Sequence, residues 1–179
     1  GSYSLNPDIE VLAPWRIWEY SSREDLVNYC KIHQIDIDAS PDEPLYSTDE
    51  NLLHTSYEGE ILEDPSIQAP ENIWNRTVSL EDAPDSSETI NLKFIKGEPV
   101  AIDDIAYSAS ELLEKLNEMA GRHGIGRLDL VENRFTGMKS RGCYETPGGT
   151  ILLKAHRAIE SLTLDSKAGH LKDELMPKY

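Results

Sequence analysis

Several side chains in this 179-residue sequence are of types that bind small polar ligands. Glu132, in VENRF, can hold a ligand ammonium group, or it can be a solvated charge or a partner for Arg134. Tyr144, in GCYET, can donate a phenolic hydrogen bond or pack into a core. Ser47 and Ser56 flank TDENLLHT, where serines also serve as turn and helix caps. Thr146–Gly149 (TPGG) has the pattern of a helix start, with Thr146 at the N-cap and Pro147 at the first helical position. The free backbone N–H groups of a helix start attract anions, and Gly148 and Gly149 permit close approach. Arg134, Lys139 and Arg141 lie just upstream. Two readings stay open there: a carboxylate or phosphate site, or glycines that allow tight packing beside basic residues paired with surplus acids.

The charge pattern sharpens that question. The chain carries a formal charge of −16, yet residues 121–157 hold seven Lys or Arg against three acids, a local balance of +4. The acidic balance argues against nucleic acid and anionic membrane surfaces as partners. No apolar run approaches a bilayer span, and no secretory signal opens the chain. Cys30 and Cys143 have no metal or redox spacing, so two reduced thiols in a cytoplasmic protein are expected. The five histidines (33, 54, 123, 156 and 170) are scattered and form no HxxxH or HExxH pattern, which argues against a metal site. No Ser-His-Asp, paired-carboxylate or Cys-His logic emerges.

The elements that must position these residues follow from periodicity. EVLAPW (10–15) reads as a short buried strand. A helix follows, with Ser21 and Glu24 as a capping box and Leu26, Tyr29, Cys30 and His33 on one face. IDIDAS (35–40) reads as another strand, and PDEP (41–44) as a domain boundary. Residues 45–65 fit neither period and read as a site-lining loop with a helical turn. Residues 64–89 read as a long surface connection that packs on a neighbouring subunit. Alternation around Lys96-Gly97 predicts a β-hairpin. Ser108 and Glu111 cap a helix whose apolar face is Leu112, Leu113, Leu116 and Met119. RLDLVENRF and MKSRGCYE read as two strands around Thr136-Gly137, followed by a long helix from Pro147. The order of elements predicts an α+β fold, a mixed or antiparallel sheet with hairpins packed against helices.

GRHGIGRLDLVENRFTGMKSRGCYETPGGTIL closely resembles the corresponding stretch of argininosuccinate synthases, as do YSTDENLLHTSYEGEILEDP and LAPWR. The resemblance runs over nearly the whole chain. It implies an ATP-dependent ligase of arginine biosynthesis and the urea cycle that joins citrulline to aspartate. In that reaction the citrulline ureido oxygen attacks the α-phosphate of ATP, with Mg²⁺ expected, to give a citrullyl-adenylate. The aspartate amine then displaces AMP. Ser47, Ser56, Glu132 and Tyr144 align with citrulline-binding positions of the family.

The resemblance also implies an organisation. Residues 1–40 correspond to the end of a nucleotide-binding domain, and 41–179 to a synthetase and multimerisation domain of a homotetramer. The family's SGGLDTS-like ATP loop, its aspartate-binding positions and its C-terminal tail are not in this sequence. On that reading the chain is an internal fragment, inactive alone, that supplies one wall of the citrulline site. The alternative is a noncatalytic oligomerisation module with a vestigial half-site. In YEGEIL, Glu60 stands where the family pattern leads one to expect glycine. If the backbone there has positive φ, Glu60 is strained and the Ser56 loop shifts.

Overall fold

The computed structural model describes residues 2–37 and 47–178. Backbone packing divides the chain into two units, Gly1–Glu43 and Pro44–Tyr179. The break read from PDEP (41–44) lies outside the described residues.

The first unit holds two helices, α1 (Ser2–Leu5) and α2 (Arg23–Ile32), with a 3₁₀ turn over Pro14–Arg16. Ser22 and Asp25, one residue on from the expected pair, form the capping box of α2. Tyr29 lies on that helix with its ring 5.2 Å from Tyr20 and 4.2 Å from His33. EVLAPW is not the buried strand its apolar run suggests. Leu12 and Trp15 are exposed, and Pro14 starts a 3₁₀ turn. An apolar run becomes a strand only where another strand accepts its backbone bonds. Residues 35–37 are likewise not a strand, and 38–40 lie outside the described residues.

The second unit is α+β, as the order of elements predicts. Strands β1 (Ser47–Glu50), β2 (Thr55–Glu58), β6 (Arg127–Asn133) and β7 (Lys139–Glu145) make an antiparallel sheet in the order β1-β2-β7-β6. Strands β3 (Leu92–Ile95), β4 (Glu98–Ile102) and β5 (Ile105–Ala106) make a second sheet. Lys96 and Gly97 take φ values of 55° and 89°, the left-handed pair that a tight hairpin turn needs. Helix α3 (Ala109–Arg122) has the expected Ser108–Glu111 capping box. Its Leu112, Leu116 and Met119 pack with Ile102 into one apolar core, against which Leu92, Ile151 and Leu152 lie. Helices α4 (Pro147–Thr163) and α5 (Ser166–Leu175) complete the unit.

Residues 47–58 form a hairpin rather than the expected loop. Asn51 closes its turn, its side-chain oxygen accepting from the N–H groups of Leu53 (2.9 Å) and His54 (3.1 Å). β1 lies at the sheet edge with all four residues exposed, so no apolar alternation marks it. The helical turn expected nearby is a 3₁₀ turn at Glu60–Glu63. The connection 64–89 is a surface segment only in part: Ala69 and Ile73 are buried with Tyr57, Leu62 and Cys143, so its first half packs on its own chain's sheet, while residues 80–89 are mostly exposed as expected.

One buried carboxylate ties that connection down. Glu145, with no exposed surface, accepts from Tyr57 Oη (2.6 Å), Asn75 N (2.9 Å), Arg76 N (3.0 Å), Thr77 N (2.9 Å) and Thr77 Oγ1 (2.6 Å). Burial and this carboxylate both push the Tyr57 phenol above its ordinary range, so it stays a donor. Arg127 backs the arrangement, donating to Thr77 Oγ1 (2.7 Å) and Thr77 O (2.9 Å) with its guanidinium 5.0 Å from the Trp74 ring centroid.

Two stability predictions follow from these contacts. Glu145→Gln turns an acceptor toward five donors into a group that itself donates. It should lower unfolding free energy by about 3 kcal/mol or more, read from denaturant midpoints. A loss under about 1 kcal/mol would show that the loop is held by other means. Glu60 does take positive φ, at 51°. Glu60→Gly should therefore stabilise the protein, or leave it unchanged, by relieving a strain of about 1 kcal/mol against glycine's greater entropy loss. Clear destabilisation in the same assay would show that the Glu60 side chain contributes more than its backbone costs.

Candidate functional site

Strand alternation decides which side chains share a face. On β7, Cys143 and Glu145 point into the core, so Ser140, Gly142 and Tyr144 take the other face. Cross-strand register then extends this face: Ser56 sits opposite Tyr144, Asp49 opposite Ser56, Ser47 opposite Glu58, and Glu132 opposite Ser140. The four sequence candidates therefore come one from each strand and lie on one face of the sheet.

Their contacts are unequal. Tyr144 Oη donates to Glu132 Oε1 at 3.1 Å, the one direct bond among the four in the described residues. Burial, then the hydrogen bond to Glu132 and its charge, raise the Tyr144 phenol above its ordinary range and keep it a donor. Gly142 makes this contact possible. A Cβ on Gly142 would stand 2.5 Å from the Tyr144 oxygen and 2.7 Å from its ring, so the phenol lies flat along the strand over residue 142 toward Glu132. Ser56 is 8% exposed, in the middle of the face. Ser47 lies at its rim and lines a cavity of about 560 Å³ with Glu58, Gly59, Arg134 and Ser140. Ser56, Glu132 and Tyr144 do not line that cavity themselves; their neighbours Glu58, Ser140 and Arg134 do.

The face also contains Arg134, named from the sequence as a partner for Glu132, and Glu58, Ser140 and Gly142, which were not named as site residues. Arg134 Nη2 donates to Glu58 Oε2 at 2.7 Å and to Ser140 Oγ at 3.1 Å, and Arg134 Nη1 is 3.6 Å from Glu132 Oε1. Glu58 is two residues on from Ser56, and Gly142 and Ser140 are two and four residues before Tyr144, so strand alternation places all three on this face.

The Thr146–Gly149 helix start is filled from within. Pro147 and Gly148 are buried, and Gly148 N donates to Asn117 Oδ1 of α3 at 2.8 Å. Asn117 Nδ2 in turn donates to Leu52 O at 2.8 Å, fastening the β1–β2 turn to the helix pair. Gly149 faces Thr146 and Leu53. Thr146 makes no side-chain cap bond. The basic cluster is largely internal as well. Arg122 pairs with Glu88, Arg127 with Glu71, Arg141 with Asp129 and Arg157 with Asp173.

Carboxylates, a guanidinium, a phenol and hydroxyls give this surface the donors and acceptors that a small polar ligand needs. Among the described residues no group of three or more His, Cys, Asp or Glu is placed to hold a metal, and no helix is long and apolar enough to cross a membrane.

Residues 46–179 match the family described as Arginosuccinate synthase C-terminal domain. Proteins named argininosuccinate synthase from Thiobacillus denitrificans and Caulobacter vibrioides are 61% and 60% identical to it, and one from Campylobacter fetus subsp. fetus is 56% identical. Each alignment takes in 100% of this chain and 44% of the relative, so the chain spans less than half the length of these proteins. From residue 46 onward by the family match, and from end to end by identity, the chain belongs to the argininosuccinate synthase family.

Proposed function

We propose that this chain forms one wall of the citrulline site in an ATP-dependent ligase that makes argininosuccinate from citrulline and aspartate. The observation that carries this reading is the shared face: Ser47, Ser56, Glu132 and Tyr144 arrive from four strands and point away from the core. Glu132 pairs with the α-ammonium of citrulline. Tyr144 holds the Glu132 carboxylate through Oε1, which leaves Oε2 for the ligand. Ser47 and Ser56 hydrogen-bond the polar ends of the substrate. These contacts act by positioning, since they fix the ureido group for attack rather than take part in bond changes.

In the reaction, the ureido oxygen bonds to the α-phosphorus of ATP and the bond to pyrophosphate breaks. The aspartate amine then attacks the ureido carbon, loses a proton, and AMP leaves with its oxygen. ATP, with Mg²⁺, supplies this activation. The residues described here do not fit a triphosphate at the one helix start that suggested an anion site, because Asn117 takes the Gly148 N–H. We therefore assign ATP and aspartate to the nucleotide-binding domain of a longer enzyme, of which residues 1–40 are the last piece. That enzyme works as a cytoplasmic homotetramer in arginine biosynthesis.

Incubated alone with citrulline, aspartate and ATP, the 179-residue chain should release no pyrophosphate; activity above background would overturn the one-wall reading. In calorimetric or NMR titrations, Glu132→Gln should weaken citrulline binding about tenfold or more, the loss of a charge-assisted bond. Gly142→Ala, which displaces the phenol, should weaken binding about as much as Tyr144→Phe. A stable dimer or tetramer that binds no citrulline would favour an assembly module with a vestigial half-site.

A further inference from the structure

Arg134 stands just past the end of β6, where the chain turns back toward β7, its backbone N–H bonded to Met138 O at 2.8 Å. Its guanidinium reaches over the sheet face and meets both carboxylates there, Glu58 at 2.7 Å and Glu132 at 3.6 Å, with Ser140 Oγ at 3.1 Å fixing its orientation. The contacts are asymmetric. Glu58 takes the short bond, and Glu132 Oε1 shares its weaker approach with the Tyr144 phenol. Of the two carboxylates that Arg134 meets, one guanidinium neutralises one, and the shorter pairing leaves the uncompensated charge on Glu132; Asp49, on the same face opposite Ser56, makes no ion pair with Arg134.

The stability gained from this ion pair is small, because Arg134 and Glu58 are both substantially exposed. Its effect on the charge offered to a ligand is large by comparison. Without Arg134 the Glu58 and Glu132 carboxylates both stand unneutralised on this face. Such a face favours a ligand with two positive charges over one with a single ammonium group.

We propose that Arg134 sets the charge specificity of this face. By neutralising Glu58 and holding Glu132 in place, it leaves one negative charge for one ammonium, and so selects an amino acid with an uncharged side chain over one whose side chain is cationic. This rests on the citrulline-wall reading. Citrulline and ornithine differ in this respect, a neutral ureido group against an ammonium group on the same carbon chain.

The test titrates the 179-residue chain with citrulline and with ornithine by NMR at low ionic strength, where charge effects are least screened. Thermal melts check that each variant is folded. Arg134→Gln should weaken citrulline and shift the ornithine-to-citrulline affinity ratio on the order of tenfold toward ornithine. Arg134→Lys, which keeps the charge, should keep the wild-type ratio. Arg134→Gln combined with Glu58→Gln again leaves Glu132 as the one uncompensated carboxylate of the two, and should return the ratio toward wild type. An equal loss of both ligands in Arg134→Gln, or no recovery in the double variant, would overturn the inference while leaving the citrulline wall intact. If the wild-type chain binds neither amino acid, the citrulline-wall reading falls and this inference falls with it.

Discussion

The second unit depends on one buried carboxylate. Glu145 ends β7 on the core side, and its oxygens gather donors from β2 and from the segment 75–77. Without that acceptor, the buried Thr77 N–H and the part-buried Arg76 N–H of an irregular segment would lose their partner and Asn75 N would keep only Tyr57 Oη at 3.3 Å, a cost comparable to lost hydrogen bonds. The same residue also fixes the phase of the strand. With Glu145 and Cys143 inward, Tyr144, Gly142 and Ser140 can only be outward, and a slip of one residue would exchange the core and the site. Core and site are thus two readings of one strand.

The segment that Glu145 holds acts in turn on the hairpin beside the site. Arg76 Nη1 donates to Leu52 O at 3.3 Å, and Nη2 to Glu50 Oε1 at 3.1 Å and to Asn51 O. Asn117 reaches the same Leu52 carbonyl from α3. The β1–β2 turn is therefore held from the loop and from the helix pair together, which steadies the strands that carry Ser47 and Ser56. The basic residues that stand out in this acidic sequence are mostly such internal ties. Their clustering along the chain reflects the acids they meet in space: Glu58, Glu71, Glu88, Asp129 and Asp173.

Much of this fold was legible in the sequence where a period and a cap coincided. The Lys96-Gly97 hairpin, the Ser108-capped helix, the strand pair around Gly137 and the helix from Pro147 all carry local signals that agree with the tertiary structure. The hairpin at 47–58 was not legible, because an edge strand exposed on both faces has no alternation to read. EVLAPW misled for the opposite reason: it has the apolar pattern, but among the described residues no strand pairs with it. Residues 64–77 look like part of an exposed loop, since what ties them down at 75–77 is a glutamate about 70 positions away. Within the site, Glu132 and Tyr144 were found by resemblance. Arg134 is legible as a partner for Glu132 and as part of a charge cluster, but its shorter pairing with Glu58 is not, and Gly142 carries no signal apart from the Tyr144 ring lying over it.

The polar character that hid β1 also bears on how the molecule behaves in a crowded solution. An open four-stranded sheet has two free edges, and each is a template for pairing with another chain. Here one edge is Ser47-Thr48-Asp49-Glu50, and the other is β6 with Arg127, Asp129 and Glu132. Adjacent acids on the first edge repel a second copy laid against it, and the mixed charges on the second resist burial. The sheet is thereby guarded against edge-to-edge aggregation by the polar and charged side chains along its two rims.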